Sequence, residues 1–93
     1  MIINELFKEL ELLMSDIAFA GLRNIQPVTL QKFEELKHWL NDLNMTEGVR
    51  QVDLFIASVQ SYQAGKGSVE EMASHLCALG FYEKTVSENI HKQ

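Results

Sequence analysis

Cysteine and proline each occur once, as Cys77 and Pro27, and tryptophan only as Trp39. A lone cysteine closes no internal disulfide, so the fold has to rest on burial rather than on cross-links. No basic segment followed by an apolar run and a cleavage site precedes Glu5, and a cytoplasmic protein is expected. Nor does any stretch approach the roughly 18 consecutive apolar residues that a membrane span requires, so no membrane partner is expected. Cations are scarce as well. Eight basic residues face thirteen acidic ones for a net charge of −5, a field that repels phosphate backbones and anionic lipid and makes nucleic acid an unlikely partner. What is present is apolar: 46% hydrophobic against 23% charged residues is too greasy for a disordered tail. Ninety-three residues are too few for two buried cores. A single domain over 1–93 follows, with its core over about 2–82, and two-domain enzymes are excluded.

The apolar residues recur at three and four rather than at two, which is helical spacing. Ile3, Phe7, Leu10, Met14 and Ile17 form one stripe, widened by Leu6 and Leu13, with Asn4, Lys8, Glu11 and Ser15 opposite. Gly21 and the approach to Pro27 should stop this first helix, because a residue before proline disfavours the helical region. A second helix is expected after Thr29, with Thr29 as its cap. Its buried ridge is Phe33, Leu36, Leu40 and Leu43, with Trp39 alongside. A third begins beyond the Asn44–Met45–Thr46 turn, capped by Thr46, and carries Val49, Val52, Phe55, Ile56, Val59 and Tyr62. Its β-branched residues would suit a strand, but Arg50, Gln51 and Asp53 do not alternate with them.

Ala64–Gly65–Lys66–Gly67 is a break, and Ser68 with Glu71 makes a capping box that starts a fourth helix. Val69, Met72, Ala73, Leu76 and Leu79 point inward there. Gly80 followed by Phe81 is expected to end it in a Schellman turn, with Phe81 folding back on Leu76. Tyr82, Val86 and Ile90, spaced by four, leave 83–93 as either a short fifth helix or a frayed tail. Short connections favour antiparallel neighbours. The expected fold is therefore all-α, a compact bundle of four main helices. Its core face is Phe7, Leu10, Met14, Ile17, Phe33, Leu36, Leu40, Val52, Ile56, Val59, Met72 and Leu76.

Chemistry-bearing residues do not fall into catalytic or ligating patterns. His75 and Cys77 sit roughly 200° apart on a helix, and the pairs Glu34/His38 and Glu71/His75 have four-residue spacing where di-metal bundles use three. His38 and His75 are expected to be solvated or ion-paired; His91 adds no spacing of its own. Cys77 borders the Ala73–Leu76 stripe and is expected as a small buried hydrophobe. Gly65–Lys66–Gly67–Ser68 lacks the first glycine and the strand of a phosphate loop, and Ser68 lacks the Asp-Ser-Leu setting of a carrier protein. No enzyme activity, cofactor or metal is expected. A helix-turn-helix reading of the second and third helices, as a DNA-associated regulator, is the alternative function. It meets one cation, Arg50, with Glu47 and Asp53 beside it, where groove readers need several phosphate contacts.

The informative feature is apolar surplus. Leu12 lies on the polar side of the first helix near Glu5, Glu9 and Asp16. Leu54 lies off the ridge of the third, where Leu54, Ala57, Ser58 and Ser61 make a narrow strip that another helix can approach closely. These five residues are the candidate partner surface, for a protein partner or a second copy in a homodimer. Trp39 and Tyr62 suit interface anchors but fit core packing better.

The run Gly21–Leu30, then Phe33, Leu36, Trp39 and Leu40, Leu43-Asn44-Met45 and the Val52–Tyr62 helix resembles the helical segment that accompanies the zinc finger in bacterial SWIM-type zinc-finger proteins, over residues 5–82. The family's Cys-x-Cys and Cys-x-His ligands have no counterpart, since Cys77 stands alone. The resemblance therefore implies a helical accessory or scaffolding module, without a metal or nucleic-acid role.

Overall fold

The computed structural model describes residues 3–91, with side chains through residue 89. Four helices run α1 (Ile3–Ala20), α2 (Pro27–Asp42), α3 (Thr46–Gln63) and α4 (Val69–His91), with a 3₁₀ turn at Leu22–Asn24 before α2. Consecutive helices run in opposite directions. Leu40 faces Gly48 and the tilted rings of Phe33 and Phe55 meet at 5.2 Å between α2 and α3, while Gly48 lies against Tyr82 between α3 and α4. Gly80 lies over Met14, and the Phe7 and Tyr82 rings are 6.3 Å apart. Each helix thus touches its two sequence neighbours, and α4 closes the ring on α1, the up-down-up-down arrangement that short loops favour.

The core follows the stripes. Leu6, Phe7, Leu10, Leu13 and Ile17 of α1 meet Phe33, Leu36 and Leu40 of α2, Val52, Phe55, Ile56 and Val59 of α3, and Met72 and Leu79 of α4. Met14 and Leu76, expected inside, are partly buried at its margin, as are Trp39 and Tyr62. Leu43 is not part of the ridge; it is exposed and caps α2. It stands one residue beyond the last helical position, Asp42.

Helix ends show where local chemistry decides. α2 starts at Pro27, two residues before Thr29, because proline's fixed φ and missing N–H suit the first helical position. Gln26 is the N-cap and Thr29 sits inside the first turn. Thr46 is likewise the first residue of α3 rather than its cap, which is Met45 without a side-chain bond. Ser68 does cap α4, its hydroxyl oxygen accepting from the Glu71 N–H at 3.1 Å.

Two Schellman endings occur, and neither is at Gly80. After α2, Asn44 adopts φ +60° while the N–H groups of Asn44 and Met45 donate to the Asn41 and Leu40 carbonyls. After α3, Gly65 adopts φ +79° while Gly65 and Lys66 donate to Tyr62 and Ser61. α4 instead passes straight through Gly80 to His91. A glycine inside a helix loses only about 1 kcal/mol relative to alanine, and Tyr82 and Val86 beyond it pack on the core. The segment 83–91 is therefore the continuation of α4, not a fifth helix or a frayed tail. The Ile90 side chain and Lys92 and Gln93 lie outside the described residues.

Candidate functional site

The strip expected to await a partner is largely covered from within. Ser58 is 6% exposed and donates its hydroxyl to the Phe55 carbonyl at 2.6 Å. It follows Gln51 by two helical turns and shares its side of α3, and Gln51 faces Ala78, Tyr82 and Thr85 of α4. Ser61 is half-buried beneath the α3–α4 loop. A Cβ on Gly67 would stand 3.1 Å from the Ser61 Cβ, and the Lys66 and Gly67 N–H groups both donate to the Ser61 carbonyl. Ser58 is thus satisfied within its own helix, and Ser61 is covered by the loop that leads into α4. Of the strip, Ala57 remains exposed and Leu54 half-buried.

Beside this contact, α3 and α4 leave an open hollow of about 290 Å³ lined by Glu47, Gln51, Ala78, Phe81, Tyr82 and Thr85. Phe81, which was expected to fold back on Leu76, instead projects outward at 74% exposure. Its position in α4 is on the outer arc with Ser74, Cys77, Ala78 and Thr85, all exposed. Glu47 and Arg50 form a two-point pair, Nε and Nη2 of Arg50 donating to the two carboxylate oxygens at 3.1 and 2.8 Å. Gln51 Nε2 donates to the same carboxylate at 2.9 Å. The Arg50 bond, then the Gln51 bond, hold the Glu47 carboxyl down at about 2. The other end of Gln51 is left over: its Oε1 is shielded from solvent and has no hydrogen-bond partner. Burial pushes the Tyr82 hydroxyl upward, opposed by a hydrogen bond with the Gly48 backbone and helped by the Glu47 charge.

A second apolar exposure lies on α1. Leu12 is 51% exposed, as expected, and Phe19, which sequence reasoning missed, is 95% exposed. The seven-residue spacing that puts the two on one outer face was available in the sequence. Glu5, Glu9 and Asp16 flank them and pair with no cation among the described residues. A smaller hollow of about 80 Å³ lies where α1 turns into α2, lined by residues that include Asp16, Gly21, Asn24 and Thr29.

Cys77 is exposed rather than buried; it lies about 140° round α4 from Met72. His38 is exposed, His75 is half-buried, and Glu34 pairs with Lys37 rather than with His38. Lys37 also donates to Asp53 on α3 at 2.8 Å, and these two bonds, the Asp53 one foremost, raise its pKa. Among the described residues no three His, Cys, Asp or Glu side chains gather as a metal-ligand group, and no helix is long and apolar enough to cross a membrane. Comparison with protein-family models, with curated proteins and with solved structures finds no match to this chain.

Proposed function

We propose that the chain is a non-catalytic cytoplasmic protein-interaction module that associates with copies of itself. The observation that carries this reading is the outward placement of Phe81, 74% exposed on the rim of a mostly apolar hollow, because a large exposed apolar side chain beside an apolar recess suits an interaction surface. The larger hollow supports binding over catalysis: its lining is mostly carbon, and its one carboxylate is already held by Arg50 and Gln51. The same pair takes up Arg50, the cation that a DNA-reading α3 would need for phosphate. An accessory or scaffolding role is also what the resemblance to the SWIM-associated helical segment implies. Sedimentation from low to high micromolar concentration tests the reading. The expected result is a mass that rises towards the dimer; a single monomeric species throughout removes self-association, and retention on duplex DNA that falls with salt points to the regulator instead.

A further inference from the structure

We propose that the α3–α4 hollow and Phe81 form a two-fold self-docking site, in which Phe81 of each copy enters the hollow of the other; this rests on the self-association reading above and names its surface. Shape is the first argument. A closed two-fold contact uses the same patch on both partners, so the patch must carry both a projection and a recess. Here Phe81 projects from the rim of the hollow that it helps to line. An engineered cavity of about 150 Å³ takes up benzene, so about 290 Å³ has room for a phenylalanine ring.

Charge selects the occupant. Two copies of a chain carrying −5 meet with least repulsion where the surface is neutral. Around Phe81, the exposed arc of Ser74, Cys77, Ala78 and Thr85 carries only Lys84 and Glu88 beside it, one charge of each sign, and the rim carboxylate Glu47 is matched by Arg50. The α1 face is the opposite case. Its Leu12 and Phe19 are bordered by three carboxylates, Glu5, Glu9 and Asp16, against one lysine of the same helix face, Lys8, so that face stays net negative and disfavours its own copy.

With the two-fold axis placed across α4 at Phe81, the helix lies antiparallel to its copy. Cys77 of the two chains then lie eight residues apart along the helix direction, about 12 Å of rise, a span that a bismaleimide bridges. The test measures dimerisation of the full chain by sedimentation, together with bismaleimide cross-linking through Cys77. Three proteins are compared: the unaltered chain, Phe81→Asp, and Phe19→Ser as an apolar-exposure control. Phe81→Asp is expected to weaken the dimer by about tenfold or more and to lower the cross-linked yield in step with the dimer fraction. Phe19→Ser should leave both unchanged, and both variants should keep the helical circular dichroism. If the chain dimerises but Phe81→Asp dimerises equally well, or the cross-link fails in the dimer, the proposed surface is wrong while self-association stands. A chain that is monomeric throughout overturns both, and a stoichiometric apolar ligand retained in the hollow assigns it to a different occupant.

Discussion

At the scale of single residues, the tightest constraint is Gly48. It lies in the first turn of α3, and a Cβ there would stand 2.8 Å from the Tyr82 hydroxyl oxygen and 3.1 Å from Leu40 Cδ2. Alanine would gain about 1 kcal/mol of helix propensity but lose about 1–3 kcal/mol to overpacking against a stiff ring. Gly48→Ala is therefore expected to be destabilising by about 1 kcal/mol in urea unfolding, and adding Tyr82→Phe, which removes the nearest atom, should recover part of the loss. Glu83 presents the reverse situation. Burial, with the nearby Glu11 charge, raises its pKa, so its ionised form is disfavoured in the folded state. The stability this group contributes is fully present below its ordinary pKa of 4.5 and is lost as pH rises through the higher folded value. Glu83→Gln should thus raise the melting temperature slightly at pH 7 and change it little at pH 3.

At the scale of elements, the four helices and most of their buried faces were legible, because periodicity at three and four is set by burial of one side. Ends and outer faces were less so. Gly80 has the local composition of a stop, but whether a glycine ends a helix depends on what the following apolar residues meet. Tyr82 and Val86 meet the core, which outweighs the local preference. Since Met14 Sδ would lie 3.8 Å from a Cβ at this position, ordinary contact, Gly80→Ala should stabilise the fold by about 0.5–1 kcal/mol. A fall in the thermal midpoint would show that α4 needs a break there. Of the strip Leu54, Ala57, Ser58 and Ser61, Ser58 is buried, Ser61 lies under the α3–α4 loop and Ala57 is exposed; spacing on one helix does not reveal what covers each position. Cys77 and Phe81 were misplaced for a related reason: both were assigned by adjacency to Leu76, whereas their angular positions on α4 put them outside. Phe19 was legible through its spacing from Leu12, and the hollow was not, because it depends on how the start of α3 packs against residues of α4 about 30 positions further on.

At the scale of the whole molecule, acidity sets the response to pH. Glu47, held at about 2 by Arg50 and Gln51, has its folded pKa below the ordinary 4.5. Its contribution is therefore present above pH 4.5 and is lost as pH falls towards 2. Acid titration followed by circular dichroism should show a stability loss in this window, and Glu47→Gln should make the profile flatter there. The ring of helices adds a kinetic consequence. α2, α3 and α4 meet their neighbours through short connections, whereas the contacts of Phe7 with Tyr82 and of Met14 with Gly80 join opposite ends of the chain. That seam is the buckle of the belt. It fastens last and slips first, so amide hydrogens along α1 should exchange with deuterium sooner than those of α3, whose helix is gripped on both flanks.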